Sequence, residues 1–540
     1  MIFQASFYKS KKLLLIEDCE PVRASIKGML QQIGFVDITA VADAVQALSP
    51  AKRHAYDFIL ADFNLGDGKD ALQLFAELSA QDAIKPGCCF VVISAEPQRL
   101  PVMGLLQGTP DHFVLKPFSY MELEKRLAKA WQSRVALRKV YQAMPAGDLV
   151  AVHTELDEVI KNAPAYTLLA LRLKGEVLLA QREYNAAMQL YKKIQQQRDF
   201  SWTRLGAAIA MVKLQQWPEA EQLLLSLTEA DDVRPEALDW LSRLYLLQGA
   251  LPQALEQLTE LVKLQPTNID AQTAIASVML LSGQDDDALR YRQKLIQQFR
   301  FSGFDRADYY LELTRLLLAQ ASQTELAGFN AALKKCSEAL ASMPQKLLTD
   351  ETEPEVLALR ARISLLQGHV ADAKQLTDEL QIKEDAAVGS VGCLVDKIRL
   401  MFALGELKQA ERYLTQLKAL PTELDDLHSC CQRLSAARAL QQDSKLRSDI
   451  RDWNQAGMAA AQSGNVKAAL LQLRLAFLSM PCNAGLALNL LQTLTQLPAH
   501  RGLQVLAKTV LAALEQSNLT NANQQRLEQL LTQLPPLYTE

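Results

Sequence analysis

The segment Tyr56–Phe63, which reads Tyr-Asp-Phe-Ile-Leu-Ala-Asp-Phe, decides the fold of the N-terminal part of the chain. Its apolar run is typical of a strand that is covered on both faces, and it ends at the carboxylate of Asp62. Helical spacing of apolar residues follows at Lys69–Ser79 and precedes it at Pro21–Gln32. This alternation predicts a parallel sheet between helices, and such sheets carry their chemistry at the carboxyl ends of the strands.

The same reasoning predicts four more strands and a long closing helix. The strands are Lys12–Ile16, Val36–Val41, Cys88–Ile93 and His112–Leu115. The closing helix is expected over Ser119–Lys139, with Ser119 as its N-cap and Glu122 at the capping-box position. Another helix should lie within Pro97–Pro110, although two glycines and an internal proline weaken that prediction.

Polar side chains follow four of the predicted strands. They are Glu17 and Asp18 after the first strand, Asp62 at the third, Ser94 at the fourth and Lys116 at the fifth. Three neighbouring carboxylates repel one another unless a cation joins them, and oxygen ligands without His or Cys suit Mg²⁺. Lys116 adds a positive charge, and Ser94 can donate a hydrogen bond to a phosphoryl oxygen. The pattern therefore predicts phosphoryl transfer onto a carboxylate.

These motifs give residues 11–135 a clear resemblance to the receiver domain of two-component response regulators. The matching segments are Ile16-Glu17-Asp18, Asp62, Ser94-Ala95 and Lys116-Pro117-Phe118. The resemblance implies that Asp62 accepts a phosphoryl group from a sensor histidine kinase or a phosphotransfer protein. It also implies a Mg²⁺ site formed by Glu17, Asp18, Asp62 and the backbone carbonyl of Asn64.

The resemblance further implies a conformational switch beside this site. Lys116 would pair with the phosphorylated Asp62, Ser94 would bond the phosphoryl oxygen, and Phe113 would turn inward on activation. The Lys116–Pro117 peptide bond is expected to be cis, a state that proline makes accessible.

The chain changes character after about residue 165, where a small-residue pattern recurs between pairs of predicted helices. Its alanines, Ala187, Ala220, Ala254 and Ala288, are spaced by 33, 34 and 34 residues. A period near 34 with two helices in each unit resembles a tetratricopeptide repeat array. Later copies end at Ala373, Ala410 and Ala469, at irregular intervals. A stack of this kind leaves a concave surface for an effector protein, whose identity the sequence does not give.

We therefore expect a multidomain protein, with an α/β doubly wound, five-stranded parallel receiver domain followed by an all-α tetratricopeptide-repeat solenoid. The expected parts are an N-terminal tail (1–10), the receiver (11–139), a connector (140–164), four repeats (165–300), an irregular helical break (301–345), and degenerate repeats with a C-terminal cap (346–540). Degenerate units are expected near residues 310–340 and 421–445.

Composition narrows the class of protein. The 540 residues include 57 basic and 61 acidic side chains, which give a net charge of -4. This charge does not favour binding to nucleic acid or to anionic lipid. The apolar runs are too short to cross a bilayer, and the N-terminal lysines follow the apolar residues, opposite to a secretory signal. Eight cysteines without zinc-site spacing indicate reduced thiols in a cytoplasmic protein.

Three functional interpretations stay open at this stage. The first is a signalling adaptor in which phosphorylation of the receiver gates protein binding by the repeats. The second is a transcription regulator that binds DNA directly, although no helix-turn-helix pattern and no basic excess support it. The third is a constitutive repeat scaffold with an ungated receiver. No enzymatic chemistry is expected beyond phosphorylation and dephosphorylation of the receiver itself, and the oligomeric state, a dimer included, is left open.

Overall fold

The computed structural model describes most of the chain in two compact units, which divide at Gln272. The described residues are 3–66, 70–81, 83–95, 110–144, 147–266, 268–300, 305–323, 326–383, 390–420, 426–498, 500–517 and 519–538. The first unit contains a sheet and the first helix pairs, and the described part of the second unit is helical. Among the described residues, no helix is long and apolar enough to cross a membrane.

The sheet has five parallel strands, as the sequence predicts, and their order is β2-β1-β3-β4-β5. The strands are β1 (Lys12–Ile16), β2 (Asp37–Val41), β3 (Phe58–Asp62), β4 (Cys89–Ser94) and β5 (His112–Leu115). In the ladder, Ile16 pairs with Ala61, Asp62 with Ile93, and Ser94 with Leu115. This register brings the ends of β1, β3, β4 and β5 to one edge of the sheet.

Helices cover both faces of the sheet. They are α1 (Ala5–Lys9), α2 (Glu20–Ile33), α3 (Ala44–Arg53), α4 (Ala71–Ala80) and α5 (Tyr120–Ala136). Alternate strand residues point to opposite faces, so Leu14 and Ile59 pack with α3 and α4, while Leu13 and Leu60 pack with α2 and α5. The sequence predicts another helix within Pro97–Pro110, and residues 97–109 of that segment lie outside the described residues.

Local capping explains where two of these helices begin. Asp70 and Gln73 form a capping box at the start of α4, and the Ser119 hydroxyl accepts the N–H of Glu122 at the start of α5. The predicted end of the closing helix at Lys139 was wrong. The helix stops at Ala136, because the fully buried Leu137 leaves helical geometry and packs among the helices that follow.

The rest of the first unit consists of helix pairs. Its helices are α6 (Arg138–Ala143), α7 (Leu149–Asn162), α8 (Thr167–Ala180), α9 (Tyr184–Gln197), α10 (Ser201–Lys213), α11 (Trp217–Leu227), α12 (Arg234–Gln248) and α13 (Leu251–Leu264). Close approach between helices depends on small residues. A Cβ atom added at Gly175 would lie 2.6 Å from the hydroxyl oxygen of Tyr191, a fully buried side chain. Only glycine fits there without a shift of the ring.

Helix pairs continue beyond Gln272. The helices are α14 (Ile269–Leu281), α15 (Asp285–Phe299), α16 (Ala307–Gln323), α17 (Leu326–Ala341), α18 (Glu353–Leu366), α19 (Val370–Ile382), α20 (Val391–Leu404), α21 (Leu407–Lys418), α22 (Leu427–Gln462), α23 (Val466–Ser479), α24 (Ala484–Thr495), α25 (Arg501–Glu515) and α26 (Asn521–Gln533). The domain boundaries proposed from the sequence stay predictions.

Helix α22 departs from the expected pattern. The sequence predicted a degenerate repeat unit near 421–445, but residues 427–445 form the N-terminal half of a single helix of 36 residues. Asp426 and Ser429 form a capping box at its start. No glycine or proline occurs between that cap and Gly457, so nothing in the sequence interrupts the helix.

Candidate functional site

Three carboxylates meet at the carboxyl edge of the sheet. Glu17 and Asp18 follow β1, Asp62 ends β3, and one carboxylate oxygen from each lies within 4.8 Å of the other two. Glu17 and Asp62 are buried, whereas Asp18 is exposed. The structure thus brings together the three acidic residues that the sequence selected, because parallel strands end at the same edge of the sheet.

Lys116, directly after β5, supplies the cation of the site. Its Nζ lies 2.6 Å from Oδ1 of Asp62 and 3.0 Å from Oε2 of Glu17. The Lys116–Pro117 peptide bond is cis, as predicted. One ammonium group therefore bridges two buried carboxylates, and the third carboxylate stands on the solvent side.

The charges of the site are incompletely compensated. Burial raises the pKa of Asp62 and of Glu17, and the hydrogen bonds from Lys116 oppose that rise without cancelling it. Burial acts against the charge of Lys116, but its hydrogen bonds to Asp62 and Glu17 outweigh this effect and raise the pKa of Lys116. An additional cation would relieve the remaining repulsion among the carboxylates.

The other predicted site residues surround this cluster. Ser94 is buried at the end of β4, and its carbonyl oxygen accepts the N–H of Lys116 at 2.8 Å. Phe113 on β5 is half-buried against the core on the α3 and α4 side of the sheet. Asn64 is exposed, and its backbone N–H donates to Asp62. All the predicted residues therefore lie at or beside one edge of the sheet.

Two residues of the site were missed in the sequence analysis. Nη1 of Arg23, in the first turns of α2, donates to the carbonyl oxygens of Glu17 at 2.6 Å and Asp18 at 3.2 Å. Gly66 has a φ of 77°, and a Cβ atom added there would lie 3.6 Å from Oδ2 of Asp18. A glycine in the turn after Asp62 and an arginine after the acidic pair were the available signals.

A buried ion pair links β4, α5 and α6 on another side of this domain. Oδ2 of Asp111 accepts the N–H of Phe90 at 2.8 Å and Nη2 of Arg134 at 2.7 Å. The Arg134 guanidinium also lies 4.2 Å from the ring centroid of Tyr141 on α6. Leu137, between α5 and α6, shares one buried cluster with residues of α7 and α8. The end of α5 is thus packed into the first helices that follow it.

The donor set of the acidic cluster fits Mg²⁺. Hard divalent cations take oxygen ligands, and Mg²⁺ is commonly held by one or two carboxylates together with phosphate oxygens and waters. Glu17, Asp18 and Asp62 offer such oxygens, and Asp18 is reached from solvent. Among the described residues, Lys116 is the cation that forms ion pairs with this cluster, so a further positive charge has a place there.

Comparison with known proteins agrees with this geometry. Residues 13–128 match the family model of the response regulator receiver domain, and residues 178–244 match a tetratricopeptide repeat model. The chemotaxis protein CheY-3 of Vibrio cholerae serotype O1 is 26% identical over 129 residues, which are 24% of this chain and 98% of that protein.

Solved structures resemble each part of the chain. A receiver domain of a sensor histidine kinase from Pseudomonas aeruginosa PAO1, with a magnesium ion coordinated in its active site cleft, is 28% identical; the match covers 22% of this chain and 96% of that chain, with a TM-score of 0.20. A tetratricopeptide repeat protein from Parabacteroides merdae is 18% identical. The match covers 47% of this chain and 94% of that chain, with a TM-score of 0.29.

The chain therefore carries a CheY-like receiver domain followed by a tetratricopeptide repeat region, and its receiver domain indicates a two-component response regulator.

Proposed function

We propose that Asp62 accepts a phosphoryl group from the phosphohistidine of a sensor kinase or a phosphotransfer protein, and that this event gates protein binding by the repeats. The observation that carries the proposal is the 2.6 Å ion pair between Asp62 and Lys116 inside a cluster of three carboxylates. A buried carboxylate beside a fixed cation is suited to nucleophilic attack on phosphorus, and the repeat region offers a surface for a protein partner.

The transfer replaces one bond to phosphorus with another. An oxygen of Asp62 forms the new O–P bond while the N–P bond to the donor imidazole breaks, and the imidazole keeps its electron pair and takes up a proton. Lys116 offsets the charge on the phosphoryl oxygens, and Ser94 donates a hydrogen bond to one of them. Hydrolysis of the acyl phosphate by water ends the signal and releases inorganic phosphate.

Mg²⁺ would be held by Glu17, Asp18, Asp62 and the backbone carbonyl of Asn64. When bound, it supplies the charge neutralisation that lets an anionic phosphoryl group approach an anionic carboxylate. Arg23 holds the loop that carries Glu17 and Asp18 in place through its hydrogen bonds to their carbonyl oxygens.

Phosphorylation adds charge at the edge of the sheet, so a response in the repeats requires an element with two discrete arrangements. Ser94 and Phe113 are that element in this proposal, because they lie on the two strands beside the site. Lys116 connects the site to the start of α5, and Leu137 at the other end of α5 packs with α7 and α8. We expect a coupling free energy on the order of 1–3 kcal/mol between phosphorylation and partner binding.

Hydrogen exchange tests the first step of this coupling. Beryllofluoride with Mg²⁺, a stable phosphoryl mimic, should alter amide exchange in α5 to α8 of the full chain. Ser94→Ala should still bind the mimic but transmit a smaller change, since the hydroxyl that responds to the phosphoryl oxygens is missing. Unchanged exchange in α6 to α8 of the wild-type protein would contradict transmission along α5.

Partner affinity tests the second step. A partner recovered from native lysate should bind wild-type protein with an affinity that beryllofluoride changes by roughly 5- to 150-fold. Ser94→Ala should show a smaller ratio of the two affinities, and Ser133→Ala, at a half-buried serine of α5, serves as the matched control. Equal affinities under all conditions would make the protein a constitutive scaffold instead.

A further inference from the structure

A cavity of about 490 Å³ lies in the second unit, between α18, α20 and α22. Its walls are mainly apolar, and they include Leu365, Val395, Ile398, Phe402 and Leu446. Sites for small molecules typically measure roughly 300–1,000 Å³ and combine apolar walls with a few polar groups. The cavity therefore has the size and the lining of a ligand site.

The long helix α22 closes one side of this cavity. Ala439, Gln442 and Leu446 of α22 contribute to the lining. Outside the cavity, Arg438 donates to the carbonyl oxygen of Leu280, and Nη1 of Arg447 lies 2.7 Å from Glu411. These two contacts hold α22 in place beside the cavity, which leaves room for a small molecule rather than for a partner helix.

Arg399 of α20 gives the cavity a cation without an acidic partner. Its single hydrogen bond is the 3.4 Å contact from Nη2 to Oε1 of Gln442, and it forms no ion pair with any described residue. Burial lowers the pKa of Arg399 to about 10, and the nearby Arg362 adds to that effect, while Asp396 and Asp443, which form no ion pair with Arg399, oppose it. Arg362 itself is paired with Asp396. Arg399 is half-buried, and a guanidinium in this position that forms no ion pair is stabilised by an anion.

The remaining charges along the cavity leave a positive excess. The lining contains the cations Arg362, Arg399 and Lys445 and the anions Asp443 and Asp449, and Arg362 is already paired with Asp396, which is not a lining residue. Asp443 is already paired with Arg447, whose Nε lies 3.1 Å away. An anionic headgroup beside Arg399 would therefore meet more positive than negative charge.

We propose that this cavity binds a small amphiphilic carboxylate, with its carboxylate on the Arg399 guanidinium and its apolar body between α18, α20 and α22. The proposal is independent of phosphorylation at Asp62. Apolar burial supplies most of the attraction, and the charge-assisted hydrogen bonds to Arg399 select the headgroup.

Decanoate, decanol and decylamine share the same alkyl chain and differ in their headgroups. Isothermal titration calorimetry of the full-length protein with these three probes tests whether the cavity prefers a carboxylate. Below their micelle concentrations, decanoate should bind at least about tenfold more tightly than decanol, because a charged hydrogen bond contributes roughly 1.5–3 kcal/mol. Decylamine should bind more weakly than either. Arg399→Gln should remove the preference for decanoate, Arg399→Lys should keep part of it, and Arg360→Gln, which changes an exposed arginine of α18, should leave it unchanged.

A second variant tests the location without changing charge. Ala439→Trp places an indole ring in the cavity from the α22 side and should weaken binding of decanoate and decanol alike, with an unchanged helical circular dichroism spectrum as the control. The proposal is overturned if decanoate does not bind the wild-type protein, if decanoate and decanol bind equally, or if decanoate binds Ala439→Trp as it binds wild type.

Discussion

Both units contain a cluster of carboxylates, and the two clusters differ in how their charge is balanced. In the receiver domain, Lys116 pairs with two of three neighbouring carboxylates. In the second unit, Arg315 makes ion pairs of 2.7 Å with Asp396, 2.5 Å with Glu355 and 2.7 Å with Glu312.

The second cluster is completed by Arg362, which also pairs with Asp396. Two guanidinium groups thus face three carboxylates, and both oxygens of Asp396 have a partner. In this cluster each of the three carboxylates forms an ion pair, and such a cluster holds helices together. In the receiver cluster the ion pairs of Lys116 reach Glu17 and Asp62 but not Asp18, so the remaining negative charge is stabilised by a cation. The comparison separates a structural network from a candidate reaction site that has a similar composition.

The largest effect on stability is expected from breaking the cluster of Arg315, Arg362 and Asp396 in the second unit. Asp396 is 1% exposed, and Asp396→Asn leaves Arg362 without its carboxylate and removes one of the three carboxylates that pair with Arg315. The change should cost roughly 3–5 kcal/mol. Faster hydrogen exchange in α16, α18 and α20 of the full chain would report this loss. Asp372→Asn, at an exposed position of α19, is the control, and an Asp396→Asn variant as protected as that control would contradict the structural role.

The receiver cluster of Glu17, Asp18 and Asp62 should be stabilised by an added divalent cation. Mg²⁺ at a hundredfold excess over its dissociation constant should stabilise the receiver domain by about 2.7 kcal/mol, measured as slower hydrogen exchange in β1, β3 and β4. Asp18→Asn should lose most of this effect and should not be destabilised without metal, since it removes one of three repelling charges. Equal Mg²⁺ stabilisation of both proteins would exclude Asp18 as a ligand.

A smaller effect is expected from pH. Because the pKa values of Glu17 and Asp62 are raised in the folded, metal-free protein, the folded state keeps protons that the unfolded state releases. Stability of the receiver should therefore fall as pH rises from about 4 through the raised pKa values, by at most roughly 1.4 kcal/mol per pH unit for each retained proton.

Bound metal should reverse the sign of this dependence, since its ligands must be deprotonated. Hydrogen exchange across β1 and β3 between pH 4 and neutrality would measure it, and Glu17→Gln should flatten the metal-free curve. A metal-free stability that rises with pH in this window would show that Lys116 alone neutralises the cluster.

The site residues of the receiver domain were easier to predict from the sequence than the details of the helices that follow it. Glu17, Asp62, Ser94 and Lys116 could be selected in advance, because parallel topology brings strand ends together and short apolar strands are easily recognised. Arg23 was not predicted, because its position after the acidic pair is only a weak signal for a residue that binds backbone carbonyls.

The repeats were recognised by their period, but several details of individual helices were predicted wrongly or not at all. The helix break at Leu137 is a tertiary effect, since its buried side chain packs with α7 and α8. A degenerate unit was predicted near residues 421–445, but residues 427–445 belong to the continuous helix Leu427–Gln462, which no glycine or proline interrupts before Gly457. The unpaired Arg399 depends on which side chains of α22 reach α20, and periodicity does not determine this.

The most direct test of the central proposal is phosphorylation of the full chain with acetyl phosphate and Mg²⁺, followed by intact-mass analysis. Wild-type protein should gain a single phosphoryl group that is labile in alkali, and omission of Mg²⁺ should abolish the gain. Asp57→Asn, which changes a carboxylate at the opposite end of β3 that pairs with Lys11, should be labelled like wild type, whereas Asp62→Asn should not be labelled. Labelling of Asp62→Asn at the wild-type rate would contradict the assignment of Asp62 as the phosphoryl acceptor.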